Sequence, residues 1–318
     1  MKQGSLSMTG YFDKGKKTRR EVFLAQMDRV VPWARLCALI EPHYPKPRNS
    51  GGRPPLPLER MLRIYCLQQW YNLSDPGAEE SLYDSITMRQ FAGVNTDADV
   101  IPDETTILNF RRLLEQHQLT ERLLTQINAL LCERGLFVGK GTIVDASIIN
   151  APPSTKNAQK KRDPEMHQTK NGNQWYFGMK VHTGTDVGSG LVHTVQGTSA
   201  NVHDSMVLGE LLHGAEDTLY GDSAYHSKQL KALAEQSGLE FKVCERGKKN
   251  QPLTDRQKAR NRRFSKVRAF GEHPYLVVKR LWGHAKVRYR GIAKNLAQMY
   301  TLFALANLFR VRHRLMLT

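Results

Sequence analysis

The most constraining stretch of this 318-residue chain is GTIVDASII, residues 141–149, where an acid interrupts a run otherwise fit for a buried strand. Strand alternation puts Ile143, Asp145, Ser147 and Ile149 on one face and Val144, Ala146 and Ile148 on the other. An unpaired carboxylate is costly to bury, so Asp145 needs a strong hydrogen-bond set, a cation or a metal ion. The alternative is a strand-end Asp that caps a turn.

The pattern changes character at this strand. Upstream, residues 20 to about 135 carry helical spacing. Val22, Met27, Val30, Val31, Leu36 and Leu39 recur over residues 21–40, interrupted by Pro32, behind a polar, basic arm. RNSGGRPPLPLERML reads as a linker that hands over to a helix starting near Pro57, with Leu58, Met61, Leu62 and Tyr65 on one face. NLSDPG breaks the pattern, residues 79–91 resume it, and Asp103 or Thr105 is placed to cap a helix bearing Ile107, Phe110, Leu113 and Leu114. Such a unit could dock a helix in a major groove through Asn109, Arg111 and Arg112, or it could be a bundle whose arginines face solvent.

Downstream the spacing turns to strands. After a polar loop over 151–173, WYFGMKVHT and LVHTVQGTS flank the turn DVGSG as a hairpin. A helix over 205–213, a short strand in DTLYGDSAY ending at Asp222, a helix over 227–237 and a strand in LEFKVCER follow. A basic helix bearing Glu272 comes next, so the expected class is α/β, a mixed sheet preceded by an all-helical region. In the ANVHDS segment, His203 and Asp204 could assist a site, with helix capping by Asp204 or Ser205 as the other role. Lys180 and His182 lie on a strand beside Asp145 and could reach a polyanion. Trp175 and Tyr176 could stack on a base or belong to the core. The C-terminal helix, with Leu296, Met299, Tyr300, Phe303, Leu305 and Leu308, is apolar over most of its surface and must pack in a core or on a second protomer.

Glu272 is the last acid of the chain. At about 100° per residue, Arg268, Glu272 and Lys279 fall at roughly 0°, 40° and 20°, so one helix face presents two cations around one carboxylate. That suits a metal ligand beside bound phosphates, or a solvated Arg268–Glu272 pair. Charge weighs on the choice. The 47 Lys and Arg against 30 Asp and Glu give a formal charge of +17, with ten basic residues and one acid between Arg246 and Arg268. Nucleic acid is the expected partner. A membrane partner is not expected, since no long basic amphipathic helix, lipidation motif or membrane-length apolar run is present. Cys37, Cys66, Cys132 and Cys244 form no C-x-x-C pair, which fits a reducing cytoplasm, and no signal-peptide pattern opens the sequence.

Together these motifs bring out a family likeness. The chain resembles the transposases of bacterial insertion sequences, specifically the insertion sequence five family. The likeness runs through LPLERMLRIYCLQQWYNLSD, PDETTILNFR, TIVDASII, RDPEMHQTKNGNQWYFGMKVH, YGDSAY, the R-x-x-x-E-x-x-x-x-x-x-K pattern and KNLAQMYTLFALANLFR. It implies an RNase H-like catalytic domain with Asp145, Asp222 and Glu272 as catalytic metal ligands for two Mg²⁺ ions, Mn²⁺ being able to substitute. It also implies Arg268 and Lys279 near DNA phosphate, binding to double-stranded terminal inverted repeats and target DNA, and a homodimer in the synaptic complex. Ser265 stands where the family pattern usually has Tyr. The expected division is a basic arm over 1–20, a helical DNA-binding domain over 21–137 and the catalytic domain over 138–318. An inactive or domesticated DNA-binding relative would share the charge and helices, and a structure-specific nuclease would share the triad.

Overall fold

The computed structural model describes residues 16–47, 54–95, 99–156, 158, 160–248 and 250–317. Most of the expected basic arm, residues 1–15, and the linker glycines within 48–53 lie outside the described residues. The helical spacing of the first half resolves into α1 (Arg19–Val30), α2 (Trp33–Ile40), α3 (Leu58–Tyr71), α4 (Asp75–Asp84), α5 (Ile86–Ala92), α6 (Glu104–Gln116) and α7 (Leu119–Glu133). Pro32 stands between α1 and α2, where its missing N–H and its ring oppose continuation of α1. Asp103, not Thr105, is the cap of α6, accepting from the Thr106 N–H at 2.7 Å.

The second half builds one mixed sheet from β1 (Gly141–Asn150), β2 (His167–Asn171), β3 (Gln174–Asp186), β4 (Val192–Ser199), β5 (Thr218–Gly221) and β6 (Glu240–Val243). β1 is central. It pairs antiparallel with β3, where Asp145 stands opposite Thr183, and parallel with β5 over Gly141 to Ile143. β4 pairs antiparallel with β3, and β6 runs parallel to β5. Three antiparallel strands continued by two parallel ones make this an RNase H-like fold. β2, an exposed strand on the first residues of β3, lies inside the stretch expected to be a loop. Its polar residues carry no alternating apolar signal, and the Asn171–Gln174 turn brings it back onto its neighbour.

The two faces of the sheet are covered differently. On the Val144 face lie a 3₁₀ segment (Asp204–Leu211), which replaces the expected α-helix, and α8 (Lys228–Gln236). On the Ile143 and Asp145 face lies α9 (Asp255–Tyr275), followed by a π-helical turn over Leu276–Leu281. The final helix, α10 (Ile292–Leu315), has Leu302, Phe303, Leu305 and Leu308 fully buried. It packs against α1, α7 and β4, and its Thr301 hydroxyl meets that of Tyr65 at 3.1 Å. The helical half and the sheet thereby share one apolar core running from Leu24 to Val311. No described helix is long and apolar enough to cross a membrane.

Candidate active site

Three acids reach one end of this sheet from separate elements. Asp145 projects from the middle of β1, half-buried under α9. Asp222 follows the last residue of β5 and caps the next turn, accepting from the Ala224 N–H at 2.8 Å. Glu272 stands exposed on α9. The parallel pairing of β1 and β5 carries the first two to the same end of the sheet.

The third acid arrives because its neighbour has no side chain. A Cβ on Gly271 would lie 2.8 Å from Ile143 Cγ2 and 4.0 Å from the Asp145 Cβ, so α9 presses its backbone onto β1 beside the first acid. Tyr275, one helical turn on, fixes that contact. Its buried hydroxyl lies within hydrogen-bond distance of the Val181 carbonyl at 2.9 Å and the Asp145 carbonyl at 3.3 Å, and can donate to either. Lys279 then reaches the same strand, donating to Ser147 Oγ and to the Ile148 carbonyl, both at 3.0 Å.

Electrostatics links the three acids. The Asp145 carboxyl is pushed up to about 6, first by burial, against the pull of the Arg268 guanidinium and the Ala146 N–H, with Asp222 and Glu272 raising it further. An acid raised by burial and two like charges is relieved by a cation, and three oxygen donors without nitrogen or sulfur suit a hard ion such as Mg²⁺ or Mn²⁺. Among the described residues, the one set of three acid, His or Cys donor atoms within 4.8 Å of one another is elsewhere, at His193, His213 and Glu216. The ligand atoms of Asp145, Asp222 and Glu272 are not all that close together.

The residues expected at DNA fall into three situations. Arg268 sits beside Asp145, half-buried, with a buried Nε that has no protein partner. Arg112 is exposed on α6. Arg111, Lys180 and Lys279 are engaged within the protein. Arg111 is buried, paired with Asp75 at 3.0 Å and Glu115 at 2.9 Å, and stacked on the Tyr289 ring. Its charge is spent on internal acids, which corrects the expectation that it faces DNA; the partner Asp75 lies on another helix, beyond the reach of local spacing. Lys180 donates to Asp204 and to the Val202 carbonyl at 2.8 Å each, on the sheet face opposite Asp145. Asp204 thus has an ion-pair partner, while His203 is the residue that caps the 3₁₀ segment. His182 is buried against Thr198, and Trp175 is exposed on the β2–β3 hairpin. Ser265, at the position of the family's usual Tyr, lies 3.9 Å from the Cys244 sulfur.

Sequence reasoning missed Gly271 and Tyr275. The signal was present, since a glycine next to Glu272 and an aromatic one turn later sit on the helix face already identified.

Two family models match this chain. The one described as Transposase DDE domain covers residues 137–308, more than half of the chain, and the one described as Transposase domain (DUF772) covers residues 12–113.

Proposed function

The chain belongs to the family of transposases with a DDE domain, and from that premise we propose that it binds the terminal inverted repeats of an insertion sequence, cleaves at the element ends and joins them to target DNA. The finer kinship proposed is with the insertion sequence five family, on the R-x-x-x-E-x-x-x-x-x-x-K pattern of Arg268, Glu272 and Lys279. The observation that carries the reading is the approach of Asp222 and Glu272 to an Asp145 carboxyl raised to about 6.

In this proposal Asp145, Asp222 and Glu272 are the catalytic residues and hold the divalent cations, Mg²⁺ or Mn²⁺, two in number. Bound there, such ions would activate an attacking oxygen and stabilise the leaving 3′ oxygen. The protein's own part is placement. β1 and β5 fix two carboxylates, and α9 delivers the third through the Gly271 contact. Arg268 offers positive charge to a phosphate beside them, as Arg112 does from the helical half, and Lys279 braces the strand that bears Asp145. We assign the helical region 21–137 to recognition of the ends and 138–318 to catalysis, with residues 1–20 as a basic arm. A homodimer would hold the two ends of one element together.

The test uses the purified chain with labelled duplexes carrying or lacking the inverted repeats that flank its reading frame. Nicking should require Mg²⁺ and the repeats, and Asp145→Asn, Asp222→Asn or Glu272→Gln should each abolish it while leaving repeat binding intact. Nicking that persists in all three variants would remove the assignment. Binding without any nicking by the unaltered chain would favour an inactive DNA-binding relative.

A further inference from the structure

A second group of donor residues lies on the other side of the sheet from Asp145. His193 is on β4, and His213 and Glu216 belong to the turn that leads into β5. One ligand atom from each lies within 4.8 Å of the others. Thr142 touches the group, and strand alternation turns it away from the face that bears Asp145.

The donors are held in place. The Glu216 carboxylate accepts from the His213 N–H at 2.6 Å, the Gly214 N–H at 2.7 Å and the Thr142 hydroxyl at 3.0 Å. Its side chain is 2% exposed, whereas that of His213 is 31% exposed, so the group is closed on the carboxylate side and open to solvent on the other. His213 Nε2 is 3.5 Å from Glu216 Oε1. The His193 ring has its Nδ1 at 2.9 Å from the Thr194 hydroxyl and its Nε2 at 3.0 Å from that of Thr142. With the Nδ1 proton donated to Thr194, Nε2 is left unprotonated, and its contact with the Thr142 hydroxyl would give way to a bound ion. Gly184 makes room for this ring, since a Cβ there would stand 2.6 Å from His193 Cε1 and 2.3 Å from the Leu211 carbonyl.

We propose that His193, His213 and Glu216 form a site for one zinc-class divalent ion. The two imidazoles are borderline donors that favour Zn²⁺ or Co²⁺ over Mg²⁺, the carboxylate adds a negative charge, and three protein ligands leave a fourth position for water. The ion would clamp the 213–216 turn to β4 and to the first residues of β1. Thr142 precedes Asp145 by three residues and Glu216 precedes Asp222 by six, so the clamp would hold the two aspartate-bearing strands at their far ends. The proposal does not depend on the catalytic reading.

The full chain, stripped with a chelator and dialysed, is titrated with Zn²⁺ and Co²⁺. One zinc per chain should remain after gel filtration, measured by elemental analysis. Bound Co²⁺ should give a visible ligand-field band that Zn²⁺ removes and excess Mg²⁺ does not. His213→Ala, His213→Gln and Glu216→Gln should each weaken binding by about tenfold or more, and Zn²⁺ should raise the melting temperature of the unaltered chain but not of these variants. Asp145→Asn should bind zinc as the unaltered chain does. No retention at micromolar Zn²⁺, retention undiminished in all three site variants, or a thiolate charge-transfer band assigning the ion to cysteine would overturn the proposal.

Discussion

Asp145 shows how burial and like charge combine in a single side chain. Its folded value of about 6 lies above its ordinary 3.8, so the cation-free fold binds this proton more tightly than the unfolded chain does. Its contribution to stability is therefore present at low pH and lost as pH rises through that interval. Asp145→Asn should melt higher than the unaltered chain at pH 7 in chelator, by a margin that shrinks toward pH 4 and also shrinks on adding Mg²⁺. Equal melting at pH 7 without cations would mean that the carboxylate is not strained. Arg111 and Arg112 make a second contrast between chain neighbours. Arg111→Ala leaves Asp75 and Glu115 without their shared cation and should cost about 3 kcal/mol in denaturant unfolding. Arg112→Ala, at an exposed position, should leave stability within about 0.5 kcal/mol and reduce the salt slope of DNA binding by about one. The sequence set Glu115 four residues beyond Arg111, but it could not show Asp75, on another helix, closing over the same guanidinium.

At the level of elements, α9 carries the argument. Its basic surface and the place of Glu272 among the cations were legible from residue spacing, and so was the strand bearing Asp145. The depth at which the helix seats on β1 was not, since that depends on Gly271 meeting Ile143 across 128 positions of chain. Gly271→Val should push α9 outward and displace Glu272. Cleavage should fall on the order of 100-fold, with binding to the inverted repeats retained; unchanged cleavage would show that the close seat is dispensable. β2 and the 3₁₀ segment were misjudged for related reasons. A polar strand paired along one edge carries no alternation, and a short apolar stretch does not distinguish a 3₁₀ from an α turn.

Across the whole molecule, the helical half and the sheet half were both readable, but their union was not. Periodicity marks which face of a helix is apolar without naming what covers it, and the nearly all-round apolar surface of α10 was open to a core or to a second protomer. In the fold it lies between the two halves. Asn307 exchanges hydrogen bonds with the Val192 backbone and donates to Asn128, while Thr301 meets Tyr65. One cooperative unfolding transition is therefore expected, with tryptophan fluorescence and far-ultraviolet circular dichroism moving together; two separated transitions would show that the halves are stable apart. The position of this helix also bears on how the protein is made. The ribosome releases α1, α3 and α7 long before it releases α10, so the early helices must wait, with apolar surface bare, for a late segment to cover them. A gene copy interrupted before codon 292 should thus yield an aggregating fragment and not a free-standing competitor for the element ends.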